Sequence, residues 1–547
     1  MKTSRFLGLD LSTQSLTALV IDLSEASIVN RTSVDFDGAY PSYGTRGGVL
    51  IGKDPKVVHA DPRMWVQAID DLLGSLGRQG LAKEIAAVSV SAQQHGSVYL
   101  NDRAWVALGT LNPGRPPVPQ LEGAFSRPTA PVWMDSSTHK ECEEITSTLG
   151  GEARTAFLTG SIATERFTGP QIRKFWKENP RAYEQTVHIA LVSSFVTWLL
   201  LGLPAPVDCG DGFGTNLANI QTGRWSRRAL SATAPRLRKK LPELVRGDVC
   251  LGKVSAYLVR RYGFSPETDV VIGTGDNPSS LAGVGLVGDT SRRAVSLGTS
   301  DTYFGYLPRP GKSRTLEGHI FGTADGRFMF LLCFKNGSLA REAVKNQHRL
   351  SWDEFSEILL NTPPGNDGRI MLPYFLPEIT PLVLAPAVRR FGGLKKDDVQ
   401  GNVRAVAEGQ IMSMFLHSKG FGGKPDAILV TAGGSENRGL LHVIADIFGA
   451  EVRSFEVKDS AALGAAVRAA RAYIGARGDR RTWGDLAEMF IRTKRAKPVF
   501  PRKEAAGIYH GDNGLLSVYE ACEKYFLGQA ADPKDKITRF RKANRSF

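Results

Sequence analysis

The chain has 547 residues and a formal net charge of +14 at pH 7; 42% of residues are hydrophobic and 23% charged. That length calls for two or more domains, and that balance excludes a disordered chain or one that needs staples to fold. Five scattered cysteines (Cys142, Cys209, Cys250, Cys333 and Cys522) form no CxxC pair, which argues against a zinc site or a disulfide framework and fits a reducing, cytoplasmic compartment.

The opening MKTSRFLGLDL has no apolar leader region. Phe6–Leu11 and Leu16–Asp22 read as strands around a polar turn, Ser12-Thr13-Gln14-Ser15, with Asp10 at the first strand's end. Asp61 caps a helix that starts at Pro62 and carries Trp65, Ala68, Ile69, Leu72, Leu73 and Leu76 on one face. Ile85–Ser91 reads as a strand ending in Gln93-Gln94-His95. Asn112–Pro119 is a proline-rich surface loop. Pro131–Met134 reads as a strand that delivers Asp135 and enters a helix, with Ser136 or Ser137 as its cap.

The most apolar run, Ile189 to Leu203, contains Ser193, Ser194 and Thr197 and stops at Pro204. It reads as a buried helix, so no membrane partner is expected. Basic residues gather at Arg236, Arg238, Lys239 and Lys240, and again from Lys534 to Arg545. These could meet nucleic acid or an acidic partner. No aromatic-interleaved basic motif accompanies them, so the reading is a solvated surface and no nucleic acid.

Asp269–Gly273 reads as a strand leading to Gly275-Asp276-Asn277. Ala294–Gly298 and Thr302–Leu307 are two strands joined by Thr299-Ser300-Asp301. The strand–polar turn–strand plan therefore occurs twice, which divides the chain into related domains, 1–285 and 286–547. Ala427–Thr431 is an apolar strand followed by Ala432-Gly433-Gly434. Leu440, Leu441, Ile444, Ile447 and Phe448 then mark a helix that ends at Gly449. Beyond about Asp532 the tail is charged and is expected to be poorly ordered.

Several of these residues suit phosphoryl transfer to an alcohol. Turns rich in Gly, Ser and Thr offer backbone N–H groups and hydroxyls to phosphate oxygens. Gly298-Thr299-Ser300 has that composition, although it also suits a plain hairpin. A carboxylate beside phosphates needs a cation between them. Asp10 therefore suits Mg²⁺ held through its water shell, or else a simple Asx turn. Asp276 is placed to accept a hydroxyl proton, or to cap the helix after Pro278. Gln94, His95 and Asn277 can read the hydroxyls of a polyol. No GxxxxGK[ST] occurs, nor a protein-kinase set of motifs.

Together LGLDLSTQSL, SAQQHGS, PVWMDSST, ERFTGPQI, GTGDNPSSLAG, AVSLGTSDT, LLCFKNGSLARE and VTAGGSEN, in that order, resemble the FGGY carbohydrate kinases, and among them the animal-type xylulose kinases. The resemblance implies an α/β chain of two actin-like (ribonuclease H-like) domains, each a mixed sheet flanked by helices, with a cleft between. It implies ATP and Mg²⁺ as cofactors and D-xylulose as the sugar, with ribulose, gluconate, glycerol or a non-catalytic sensor as alternatives. A homodimer is compatible with it.

By position, Asp276 would be the base, and His95, Arg166, Asn277 and Gln94 would line the sugar pocket. Asp10, Ser12, Thr13 and Gln14 would form one phosphate turn; Gly298, Thr299 and Ser300 would form the other. Gly433, Gly434 and Asn437 would border the adenosine, with Trp352 packing on the base. GGSEN is one residue shorter than the family's usual spacing before its Asn.

Overall fold

Phe6, Leu7 and Leu9 are all buried, so the first strand turns apolar side chains to both faces, as a strand inside a covered sheet must. The computed structural model describes residues 5–310, 316–456, 459–493 and 497–544. In it β1 (Arg5–Leu11), β2 (Ser15–Asp22) and β3 (Ser27–Asp35) form an antiparallel meander. The other edge of β1 pairs in parallel with β4 (Ile85–Ala92). β5 (Cys250–Lys253), β6 (Asp269–Val271) and β7 (Thr274–Gly275) complete a seven-stranded sheet.

The strand expected over Asp269–Gly273 is therefore broken at Ile272-Gly273. Ile272 N–H leaves the ladder to donate to Val249 O at 3.0 Å, and its carbonyl accepts from Ser89 Oγ at 3.0 Å. β7 then resumes pairing with β4 and delivers Asp276 at the sheet's end.

The second sheet repeats the plan. β8 (Arg292–Leu297), β9 (Asp301–Leu307), β10 (His319–Gly322) and β11 (Phe328–Phe334) pair antiparallel, and β8 pairs in parallel with β12 (Ala427–Thr431). β13 (Glu451–Glu456) and β14 (Arg492–Thr493) extend the far edge. The doubled strand–polar turn–strand unit of the sequence is thus the β1–β2 hairpin of one sheet and the β8–β9 hairpin of the other.

α1 (Pro62–Arg78) has the expected cap: the Asp61 carboxylate accepts from Arg63 N–H at 2.9 Å, and Pro62 fills the first turn, where no N–H is needed. Its buried stripe packs with Leu7, Leu9, Val88 and Val90 of the first sheet. The apolar run expected as one helix divides into a strand, His188–Leu191, and α2 (Val192–Leu201), which ends at left-handed Gly202. No helix among the described residues is long and apolar enough to cross a membrane. α3 (Asp276–Gly283) leaves the end of the first sheet.

On the second sheet, α4 (Trp352–Asn361), α5 (Val399–Ser418) and α6 (Arg438–Phe448) share a core with Val295 and Leu297. α7 (Ser460–Gly475) follows that sheet yet packs on α3, β1 and β4 of the first. The crossing is at backbone distance. A Cβ on Gly464 would stand 1.8 Å from Ser279 O, and one on Gly283 would stand 2.0 Å from Ser460 O. Phe6, Leu19, Ala294, Phe304, Leu463 and Val467 belong to one cluster, so the two halves share a core there.

Two further sequence expectations need correction. The strand placed at Pro131–Met134 stops at Pro131, because Asp135 N–H bonds back to Val132 O at 2.9 Å and closes a turn. The tail is not loose: α8 (Lys534–Ala543) buries Ile537 and Phe540, three residues apart on one face, and these outweigh its surrounding charges. Arg545 lies outside the described residues.

Candidate functional site

Asp276 stands where β7 ends and α3 begins. The helix N-cap is Gly275, with no side-chain cap, so the capping role considered for Asp276 is not the one it has. Its Oδ1 instead accepts from Asn277 N–H at 2.8 Å and from Asn277 Nδ2 at 3.0 Å. The same Nδ2 donates to Gln94 Oε1 at 2.8 Å, and Gln94 Nε2 donates to Gly210 O at 3.1 Å. The chain thus brings Gln94, Asp276 and Asn277 into one hydrogen-bonded set. Burial pushes the Asp276 carboxyl up to about 6, against the pull of the N–H groups of Asn277 and Gln94.

Asp10, at the end of β1, sits close enough for the two carboxylates to feel each other. Burial raises Asp10 to about 7; the Ser91 hydroxyl opposes the shift, and Asp276 and Asp459 add to it. Its Oδ1 accepts from Ser91 Oγ at 2.7 Å, 81 residues away, so it does not serve as an Asx turn. A carboxylate with one oxygen so engaged, crowded by other acids, suits a cation between itself and phosphates. Among the described residues no set of three acidic, His or Cys side chains forms a complete metal cage.

Thr13 Oγ1 accepts from the indole N–H of Trp133 at 2.8 Å, which pins the first polar turn from outside the sheet. Ser12 Oγ donates within that turn to Ser15 O at 3.1 Å, and Gln14 is exposed. In the second sheet, Thr299 and Ser300 are exposed at the tip of the β8–β9 hairpin. Its base is held by the buried Asp301, which accepts from both Arg341 terminal nitrogens at 2.7 and 2.9 Å. A cavity of about 180 Å³ between the halves is lined by Asn277 and Ser280 of α3, by Ser296, Thr302 and Thr431 of the second sheet, and by Ser460.

His95 adopts a left-handed backbone (φ 71°), a conformation that costs a non-glycine residue on the order of 1 kcal/mol. Its Nδ1 lies 2.7 Å from Gly214 O, which can only accept, so Nδ1 carries the hydrogen and Nε2 presents a lone pair. Burial, helped by the Arg166 charge, pushes the ring down to about 3, so it is neutral. The ring stacks on Phe167 at 4.2 Å and leans on Phe321. Arg166 Nη2 donates to His319 Nε2 at 3.1 Å, and His319 Nδ1 faces Ser161 Oγ at 3.1 Å. His319 comes from β10, so the second half of the chain closes one wall around His95 and Arg166.

In the second half, Ala432 (φ 66°) turns the chain after β12, and Gly433 and Gly434 open a short helical turn. Asn437 caps α6: its Oδ1 accepts from Leu440 N–H at 3.0 Å. α4 packs on α6, where Ser356 Oγ accepts from Gly439 N–H at 3.3 Å, and Trp352, the first residue of α4, is exposed. Lys345 Nζ lies 5.4 Å from the Trp352 ring centre.

Asp135 is buried and accepts from Val58 N–H, the backbone and hydroxyl of Ser137, and Gln171 Nε2 at 2.6–3.0 Å. The following helix is preceded by Thr138 without a side-chain cap, so neither Ser136 nor Ser137 caps it. Residues that sequence reasoning missed are His319, Trp133 and Asp211. Asp211 is buried among Ser193, Asp276 and Asp208, and burial raises it to about 8. Its signal was available, since Gly210-Asp211-Gly212 is a glycine-flanked acid like Gly275-Asp276.

Residues 128–283 match the model of the FGGY family of carbohydrate kinases, N-terminal domain, and residues 293–473 match its C-terminal domain. The chain is 42% identical over 536 residues to a xylulose kinase of Mus musculus, covering 96% of this chain and 95% of that one. It is 40% identical over 496 residues to xylulose kinase 2 of Arabidopsis thaliana, covering 86% and 88%. A crystal structure of a xylulose kinase from Rhodospirillum rubrum superposes with a TM-score of 0.80 at 18% identity, over 96% of this chain and 99% of that one. The fold is the two-domain, actin-like arrangement of mixed sheets.

Proposed function

The chain belongs to the FGGY family of carbohydrate kinases, and we propose that it transfers the γ-phosphoryl group of ATP to the terminal hydroxyl of D-xylulose, giving D-xylulose 5-phosphate. The observation that carries this reading is the set at Asp276. A carboxyl pushed up to about 6 is ionised at neutral pH yet basic enough to take a hydroxyl proton.

Asp276 is the base. Asn277 and Gln94 hold it and read the neighbouring hydroxyls, and neutral His95 offers its Nε2 lone pair to a third. Arg166, steadied by His319, donates to an oxygen of the sugar. The ketose carries no charge, and this wall is built from a neutral ring and directional donors.

ATP is held mainly by the second half. The turns at Ser12–Gln14 and Gly298–Ser300 offer hydroxyls and N–H groups to its phosphates. The backbone at Gly433 and Gly434 borders the adenosine: a Cβ on Gly433 would meet open space, whereas one on Gly434 would press on Leu297. Trp352 stacks on the base. Asp10 is the carboxylate that would face Mg²⁺ through water, and that ion would neutralise charge on the phosphate oxygens. Closure of the halves excludes water and aligns the hydroxyl with the γ-phosphorus. The separate sheets on either side of residue 285 support a domain limit there, and five unpaired cysteines, three of them buried, support a cytoplasmic setting.

A coupled ADP-release assay over D-xylulose, D-ribulose, gluconate and glycerol, with mass detection of the product, tests this. D-xylulose is expected to give the highest kcat/KM and a 5-phosphate. A clear preference for gluconate or glycerol would overturn the substrate assignment.

A further inference from the structure

The basic cluster near residue 236 is exposed at Arg236, Arg238 and Lys239 and buried at Lys240. It borders a concavity of about 1070 Å³ that shares no lining residue with the cavity beside Asn277. Five guanidinium groups line it, those of Arg224, Arg227, Arg236, Arg238 and Arg246, against a single acid, Glu243. That acid is already engaged by Arg238 at 2.7 Å. Arg236 reaches Glu184 only at 3.4 Å. The side chains of Arg224 and Arg227 have no hydrogen-bond or ion-pair partner among the described residues.

Arg246 is fixed in place. Its guanidinium lies 5.8 Å from the Phe213 ring centre and 5.6 Å from that of Phe328, and it donates to Ile220 O at 3.3 Å. Phe328 belongs to β11, so this wall stands at the seam between the two halves. Lys240, counted in the sequence cluster, is not available: its Nζ is buried and donates to Thr186 O at 2.5 Å.

Arginine keeps its charge at any physiological pH, and its planar fork matches phosphate oxygens in pairs. A concave ring of such forks, with no free acid to neutralise them, is a receptor for concentrated negative charge. We propose that this concavity binds a compact small molecule bearing two or more phosphate groups, at a site separate from the kinase cleft. A nucleic-acid strand fits less well. Strand-binding grooves track a backbone and offer aromatic faces for stacking. Here Trp225 is partly buried and its indole N–H is spent on Pro242 O at 2.8 Å.

The test uses the full chain and inorganic tripolyphosphate as the probe, followed by calorimetry in Mg²⁺-free buffer with ADP saturating the nucleotide site. One equivalent should bind. In Arg224→Ala/Arg227→Ala the affinity should fall roughly tenfold or more, as loss of two charged contacts requires. Melting temperature and basal kinase activity should stay unchanged, since both side chains lack internal partners. The single reversal Arg227→Glu should weaken binding in the same direction. No binding beyond the nucleotide site would overturn the proposal, as would equal binding by the double variant. It would also fall if a mixed oligonucleotide bound at this site in preference to tripolyphosphate.

Discussion

Arg468 on α7 donates to both carboxylate oxygens of Asp208, at 2.9 and 3.3 Å, with both side chains sealed from solvent. The helix follows the second sheet, whereas Asp208 belongs to the first half of the chain, so the pair spans the two. The same carboxylate accepts from Thr274 Oγ1 at 2.6 Å, two residues before Asp276. A buried pair adds little net stability over an apolar replacement, but removing one partner strands the other charge. Arg468→Ala should therefore cost about 3–5 kcal/mol and lower kcat, with Arg468→Lys falling between. A urea midpoint unchanged in Arg468→Ala would show that the pair does not bind the halves together.

With Asp276 as the proposed base, its carboxyl should set the pH response of turnover. A base acts only when ionised, so kcat/KM for the sugar should rise through about pH 6 and level off above it. Asp276→Asn should abolish phosphotransfer while calorimetry still detects nucleotide. Turnover near wild type in that variant would remove Asp276 from the chemistry.

Stability should move the opposite way. Asp276, Asp10 and Asp211 are raised from an ordinary 3.8 to about 6, 7 and 8. Each prefers its protonated form in the folded chain, so its contribution is complete below about pH 4 and is lost as pH rises through 6 to 8. The metal-free protein should melt at a lower temperature at pH 8 than at pH 6. Asp211→Asn, which cannot ionise, should lose less over that interval. Equal losses in the two proteins would place the pH sensitivity elsewhere.

Much of this was legible in the sequence because local order wrote it there. Apolar runs bracketing Ser12-Thr13-Gln14 and Gly298-Thr299-Ser300 marked two hairpins, and the Asp61-Pro62 start with a helical stripe marked α1. Asp276 was visible from its flanking glycines. His319 was not, since its partner Arg166 lies 153 residues away and no spacing carries that distance. The break in the strand at Ile272-Gly273 was hidden for the same reason: carbonyl and side-chain partners from distant segments decide it. In the tail, the charges of α8 masked the Ile537–Phe540 pair that packs it.

On the proposed reading, His319 positions Arg166 for the sugar. It accepts from Arg166 at 3.1 Å and packs among Phe167 and Phe321, so it fixes where that guanidinium points. His319→Ala should raise KM for the sugar roughly tenfold, the worth of one hydrogen bond to a charged group. kcat should change little, and KM for ATP not at all. A loss shared equally by both substrates would mark a general packing defect instead.

Asn437 separates two roles that the sequence placed together. Its Oδ1 is committed to Leu440 N–H at 3.0 Å, which satisfies a helix-end donor that would otherwise lack a partner. On the proposed reading, the adenosine boundary then falls to the backbone at Gly433 and Gly434. Asn437→Ala should cost about 1 kcal/mol of stability, and Asn437→Ser, another good cap, should restore it. Nucleotide affinity, read from quenching of Trp352 fluorescence, should match wild type in the Ser variant. If Asn437→Ser were stable yet bound ADP poorly, the amide would be touching the nucleoside, and the cap would be incidental to why an asparagine stands there.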